Sequence, residues 1–484
     1  MLYWDLLLKP ERVRMSMTVP KTQNDNRSPF KKDFDTVCNS TILRRLQDKA
    51  QVFPLEQEDY ARTRLTHSIE AMSIAESLGM QAVSIIRNND EKYLYSNNKN
   101  TLFIDEIPNI LKAVALLHDM GNPPFGHLGE QIIGDWFKNN LGKLAINSDN
   151  RVVFKDGSDA KDTLAYKLKG RYAQDLIHFE GNAQLLRLVS KLNLVVDENG
   201  MNLTYPVLAS FIKYPTNSVS IDTSIHQKKK MGYFYSEENL FKDIQEKLGL
   251  NGCRHPLAYL LEAADDIAYL TADIEDAHHK GLLTIEKIEG YLKKKSGDNI
   301  IDNVLKQMQN YKKIACQMRY EDIDGYVMHR ARVLIKGLMI DAIYLAFNTH
   351  YEKIMMGKFD DELLNCSAAS EIAKILRQIE WDNIYYSSQI LDNKTRAFAV
   401  ITKLLETFVP ATINWKESDM GKDSAENLLY LSLSKNYRYI CKKANEKALN
   451  EEQTIYNKLL LVTDQISGMT DTHALTVYKK ITAT

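Results

Sequence analysis

The stretch Ala115-Leu-Leu-His118-Asp119-Met-Gly-Asn122-Pro-Pro-Phe-Gly-His127-Leu-Gly-Glu130 decides how the rest of the chain is read. It opens as the end of an apolar helix, with Leu111, Val114, Ala115 and Leu117 spaced to pack inward. Two prolines and two glycines then break the helix directly after an adjacent His-Asp pair. Neighbouring residues on a regular helix do not share a face. At a helix terminus next to a Pro-Gly turn the backbone is no longer regular, so His118 and Asp119 can converge on one ion. An imidazole nitrogen with a carboxylate oxygen suits Zn, Mn, Fe or Mg-type centres. A lone HD dipeptide more often caps a helix, with a histidine such as His127 satisfied in its loop, so the reading depends on matching parts elsewhere.

The 484 residues suffice for a large core, in two or three domains or one large one. Charge is balanced, 62 basic against 63 acidic side chains, which gives no global electrostatic case for nucleic-acid or membrane binding. The five cysteines, Cys38, Cys253, Cys316, Cys366 and Cys441, are scattered, as expected of reduced thiols rather than a disulfide framework or a Cys-based zinc site. The start carries too short an apolar run for a secretory signal. No apolar stretch approaches the roughly 20 residues needed to span a bilayer. These features predict a soluble, cytoplasmic protein with no membrane partner.

Taken in order, residues 1–33 read as a polar N-terminal arm, with 21–29 an arm or early loop. From Phe34 a helical pattern begins, and Pro54 is expected to stop the helix that holds Arg45 to Phe53. Gln51, just before that break, is free to face a pocket or to be an ordinary surface amide. The next helix, opened by Arg62-Thr-Arg64-Leu-Thr-His67, puts Arg64 and His67 on one side, three residues apart. An Arg one turn before a metal-ligand candidate is best explained by a phosphate near the ion, since its planar fork pairs with phosphate.

Beyond Glu130 the polar segment 139–170 reads as an insertion or flap. Asn182 falls in the first turn of a helix, as a cap or as a ligand contact. A small β-hairpin is expected between Leu192 and Leu208, around Asp197-Glu-Asn199-Gly200. The long helix from Pro256 carries Asp265, Tyr269 and Asp273 at i, i+4, i+8 on one stripe. Carboxylates and a phenol on an otherwise apolar helix are costly to bury unless something pairs with them. The alternative is a solvent-facing acidic stripe. From about 283 the chain is helical, without a Gly-rich phosphate loop, and it is interrupted at Ser467-Gly468.

His67, His118, Asp119 and Asp265 thus emerge as ligands for one divalent cation. Two imidazoles and two carboxylates roughly neutralise it and leave positions for water and a phosphate oxygen. Arg64 and Lys213 supply phosphate-binding charge. His127 and Glu130, three apart, form an acid/base couple in which the Glu orients the His.

The order H … HD … D resembles the HD-domain metal-dependent phosphohydrolases. The longer strings are Arg64-Leu-Thr-His67-Ser, His118-Asp119-Met-Gly-Asn-Pro-Pro-Phe-Gly-His127-Leu-Gly-Glu130, Phe179-Glu-Gly-Asn182-Ala-Gln, Glu262-Ala-Ala-Asp265-Asp266-Ile-Ala-Tyr269 and Ser467-Gly-Met-Thr-Asp471. They are similar to those of the deoxyguanosine triphosphate triphosphohydrolases (dGTPases) and related dNTP triphosphohydrolases. The resemblance implies a mostly α, multi-helix HD-domain fold over 34–282, with a small β-hairpin, and a helical C-terminal region over 283–484 that completes the site and makes oligomer contacts. It implies hydrolysis of dGTP, with other dNTPs left open, to deoxynucleoside and tripolyphosphate. Metal-activated or His127-assisted water would attack the α-phosphate. His67, His118, Asp119 and Asp265 match the ligands of a divalent metal (Mn2+ or Mg2+, other transition metals being open), and His127 and Glu130 the catalytic pair. Arg64, Lys213 and Tyr269 match phosphate contacts, Gln51 and Asp273 the sugar 3′-hydroxyl contacts, and Tyr214 and Asn182 the pocket lining. The family also implies a homo-oligomer, hexamer or tetramer, with Arg438 the candidate arginine lent to a neighbouring subunit. Regulation of family members leaves a dNTP or single-stranded DNA effector open. Rival readings are a nucleotidase or phosphodiesterase of the same superfamily, or a non-catalytic nucleotide- or nucleic-acid-binding regulator.

Overall fold

The computed structural model describes residues 1–13, 25–53, 62–89, 91–96, 101–149, 151–157, 159–194 and 199–482. Helices dominate, and among the described residues one short antiparallel hairpin is the only sheet. Its strands are Leu144–Ile146 and Val152–Phe154, with Ala145 opposite Val153. The hairpin therefore lies in the segment expected to be an insertion, not between Leu192 and Leu208. There the chain makes a π-helical turn, Leu188–Leu192, and a short helix, Tyr205–Phe211, around residues that are not described. Tertiary burial overrides β-propensity: every residue of Tyr205–Phe211 is buried, which suits an all-round apolar helix.

Three long helices build the frame of the site. Arg64–Asn88 starts at a reciprocal cap in which Thr63 and Thr66 each accept the other's backbone N–H. Ile107–Leu117 buries Ile107, Ile110, Leu111, Val114 and Leu117, and ends at the Pro123-Pro124 turn. Pro256–His279 is capped by the His255 ring, which accepts from Leu257 N, and is buried along almost its whole length. Arg64–Asn88 packs on both of the others, while Pro256–His279 also packs on Ile323–Met355 and Ser370–Asn383. One apolar core runs from Leu2 to Ala474.

Two boundaries differ from the sequence reading. Leu2, Trp4, Leu7 and Leu8 are buried, and Trp4 Nε1 donates to the Tyr351 hydroxyl at 2.7 Å, so the first residues belong to the core. The helix before Gln51 ends at Arg45, with a 3-10 turn over Leu46–Asp48; Pro54, expected to stop it, lies outside the described residues. Among the described residues, one helix, Arg64–Asn88, is long and apolar enough to cross a membrane by length and composition. It carries buried Arg64 and His67 and packs inside the core, the placement of a central helix of a globular domain.

Candidate active site

The three helices bring the HD turn, His67 and Asp265 together. His118 caps its helix and directs Nδ1 to the Ala115 carbonyl at 2.7 Å. That contact places the proton on Nδ1 and leaves Nε2 with a lone pair toward the cluster, able to coordinate a metal. Asp265 Oδ1 lies 3.0 Å from His67 Nε2 and 3.3 Å from His118 Nε2. Ligand atoms of His67, His118 and Asp119 all fall within 4.8 Å of one another. Asn122 Nδ2 donates to Asp119 Oδ1 at 2.6 Å, and Arg64 Nη1 stands 2.9 Å from Asp119 Oδ2.

Burial disfavours charge on His118, but the carboxylates of Asp119 and Asp265 outweigh it and lift the imidazole to about 9. Burial also pushes Asp119 up, yet Arg64 and His118 hold it at about 2. Asp265, despite burial, is held well below the usual carboxylate range by His118 and His67. The set is therefore a concentrated negative charge that attracts a proton in the absence of a cation. His118 Nε2 is buried without a hydrogen-bond partner and, like His67 Nε2, faces the carboxylates of the cluster. Two imidazole nitrogens converging on carboxylate oxygens fit a divalent metal ion.

The turn that follows carries His127 and Glu130. Phe125 (φ +63°) and Gly126 (φ +59°) are both left-handed and swing the chain into the Gly126–Asn140 helix. A Cβ on Gly126 would overlap the Arg64 guanidinium, which would have to shift, and the positive φ itself favours glycine. His127 Nδ1 meets Glu130 Oε2 at 3.1 Å, and the buried Glu130 accepts Gly181 N–H on its other oxygen at 3.1 Å. The charge of Glu130 raises the His127 imidazole above its ordinary value. Burial would raise Glu130, but His127 reverses this and lowers it.

A cavity of about 670 Å³ opens from this cluster. Asp119, His127, Asp265, Arg64, Lys213 and Gln51 line it, as do Tyr269 and Asp273 further along the same helix. A smaller adjoining cavity takes in His118, Asn182 and Lys213. Lys213 Nζ sits 3.2 Å from Glu262, which overcomes burial and keeps the ammonium charged. Asp273 is raised well above the carboxylate range by burial and by Asp276, and its Oδ1 has no partner. Tyr214 is buried and lines neither cavity. Arg438 lies apart from both, with its guanidinium 5.4 Å from the Tyr430 ring in a separate cavity.

The far wall was missed by the sequence reading. Arg377, Glu380 and Trp381 of the Ser370–Asn383 helix, with Tyr385 and Lys394, face the same cavity. Arg377 reaches Asp266 at 3.2 Å, while burial raises Asp266 to about 8 and Glu380 to about 9. The available signal was an Arg and a Glu three apart inside Ile375-Leu-Arg377-Gln-Ile-Glu380, charged residues at the spacing of one helix face. A further His/carboxylate group, His226, Glu262 and Glu362, is already neutralised by Arg254, Lys213 and Lys229, so it does not fit a cation.

Comparison with known proteins identifies the family. Residues 366–480 match the family described as phosphohydrolase-associated domain. A deoxyguanosinetriphosphate triphosphohydrolase-like protein of Listeria innocua is 38% identical over 479 residues, covering 99% of each chain. A similarly named protein of Synechocystis is 30% identical, covering 99% of this chain and 98% of its own. The deoxyguanosinetriphosphate triphosphohydrolase of Yersinia enterocolitica is 29% identical over 94% of each. With this likeness running nearly end to end, the chain belongs to the deoxyguanosinetriphosphate triphosphohydrolase family.

Proposed function

We propose that this chain hydrolyses dGTP, and other dNTPs that its base wall admits, to the deoxynucleoside and inorganic tripolyphosphate. The observation that carries the reading is the meeting of two groups in one cavity: the buried His67, His118, Asp119 and Asp265 cluster, and the Glu130-supported His127. His67, His118, Asp119 and Asp265 would hold a divalent cation (Mn2+ or Mg2+), which when bound would supply Lewis-acid polarisation of the α-phosphoryl group and activation of water. His127, with Nδ1 engaged by Glu130, keeps Nε2 for the reaction and donates its proton to the departing 5′-oxygen. Arg64 and Lys213 stand where charge develops on the phosphoryl oxygens. Gln51 and the neutral Asp273 serve the sugar 3′-hydroxyl, and Tyr269 packs against C2′, leaving no room for a ribonucleotide's extra oxygen. Asn182 lines the smaller adjoining cavity, and Tyr214, which lines neither, has no substrate contact in this reading.

The HD region, 34–282, supplies the chemistry, and 283–484 closes the far wall with Arg377 and Glu380. In the same reading the protein is a cytoplasmic, closed homo-oligomer, hexamer or tetramer. Arg438 is offered to a neighbour, and a dNTP or single-stranded DNA is the effector. The test is product analysis on each of the four dNTPs and on GTP, with Mn2+ or Mg2+ and with chelator. Tripolyphosphate from dGTP, stopped by chelator and absent with GTP, is the expected result. Release of orthophosphate or pyrophosphate would instead make the chain a nucleotidase or a phosphodiesterase-type hydrolase.

A further inference from the structure

Asp471 starts the last helix, Asp471–Thr482, and is buried with 2% of its surface exposed. Its two carboxylate oxygens take two backbone N–H groups from distant segments. Oδ1 accepts from Phe125 at 2.9 Å, and Oδ2 from Ala50 at 2.9 Å. Phe125 is the left-handed residue two before His127, and Ala50 directly precedes Gln51. Lys49 joins the same three segments, its buried ammonium donating to the carbonyls of Asn122 and Ser467. Both ties are made by buried side chains, where a hydrogen bond is stronger and costlier to lose than in water.

The need for an external tie lies in the turn itself. The Gly126–Asn140 helix has no side-chain cap of its own at Phe125. Phe125 holds a positive φ that a side chain disfavours, a conformation that persists only where the surroundings fix it. The His127 side chain is 78% exposed, so packing does not hold it. Its place is set by Glu130 and by the backbone turn beneath it.

We propose that Asp471 is a positioning residue: through Phe125 it fixes where His127 stands in the cavity, and through Ala50 it fixes the Gln51 segment. This rests on the reading of His127 given above. The last helix thereby acts on the reacting geometry without touching substrate or metal, a role distinct from closing the cavity wall.

The test uses the full chain with Asp471→Asn, which keeps the shape but turns one acceptor into a donor facing an N–H. Turnover of dGTP is measured with Mn2+ affinity by calorimetry, the unfolding midpoint, and hydrogen exchange over residues 46–53 and 120–128. The expected result is a kcat lower by about a hundredfold, the effect of a small misplacement of a reacting group. KM should rise by much less than kcat falls, Mn2+ affinity should be unchanged, the unfolding midpoint should fall modestly with the protein still folded at the assay temperature, and exchange should quicken in those two segments alone. A wild-type kcat overturns the assignment, and so does a loss of turnover that tracks a loss of Mn2+ affinity and of the fold. Asp471→Glu keeps the buried charge but shifts the carboxylate by one methylene; the same selective loss is expected, and wild-type kcat in it is equally fatal. Should the unmodified chain hydrolyse no dNTP, the proposed function fails, and the exchange experiment alone decides the tie: unchanged exchange at Phe125 overturns it.

Discussion

The Nδ1 of His127 lies 3.1 Å from Oε2 of Glu130, one helical turn on, with the imidazole open to the cavity and the carboxylate sealed beneath it. The buried charge holds the ring in one orientation and raises its pKa. An acid needs its proton, so activity should fall as pH rises through the raised His127 value. Glu130→Gln removes the charge that raises it, and the alkaline limb should move to lower pH. His127→Ala should cost about 10²–10⁴ in kcat while leaving metal binding intact. The pH profile of kcat for the three proteins checks this; an unmoved limb in Glu130→Gln removes Glu130 from the couple.

Asp265 links both imidazoles of the metal set, so it should matter more for binding the ion than for folding. Asp265→Asn should lose Mn2+ binding in calorimetry and lose turnover, with the helical circular dichroism spectrum kept. Dialysis of the wild type against chelator should silence it, and Mn2+ should restore it. Persistent tight Mn2+ binding in Asp265→Asn would exclude this residue as a ligand.

Gly126 is predicted to be sensitive to a side chain. In Gly126→Ala the new methyl group displaces the Arg64 guanidinium that pairs with Asp119, and the left-handed backbone costs about 1–2 kcal/mol. Turnover should drop by about a hundredfold with the protein still folded. A crystal structure of the variant with Arg64 still on Asp119, together with near-native kcat, would contradict this.

Arg187 secures the C-terminal region from inside. It forms a two-pronged pair with Asp464, Nε to Oδ1 and Nη2 to Oδ2 at 2.7 Å each, and also meets Glu237 at 3.2 Å. Arg187→Ala leaves the buried Asp464 without its cation, while Glu237 keeps Lys191 at 2.9 Å, and should lower stability by about 3–5 kcal/mol, read from the shift of the urea unfolding curve. A shift below about 1 kcal/mol would make the pair equivalent to an exposed one.

Much of this architecture was legible in the chain because its chemistry is local. His118, Asp119, His127 and Glu130 lie within one turn, and Asp265, Tyr269 and Asp273 share one stripe of a helix whose other faces are apolar. The cavity does receive that stripe. What stayed hidden depends on tertiary placement. Arg377 and Glu380 look like ordinary charges on the Ser370–Asn383 helix until that helix packs on Pro256–His279. The hairpin has strands of three residues, too short for a period-2 pattern to stand out, whereas Asp197-Glu-Asn199-Gly200 offers a turn signal between apolar residues. Tyr214 carries no positional signal in the sequence beyond its neighbour Lys213, and it faces the core.

The most direct measurement is hydrolysis of dGTP in oxygen-18 water with Mn2+, with mass analysis of both products. Water attack at the α-phosphorus, with departure of the 5′-oxygen, predicts one labelled oxygen in tripolyphosphate and none in deoxyguanosine. Label in deoxyguanosine, or orthophosphate or pyrophosphate in place of tripolyphosphate, would contradict the account.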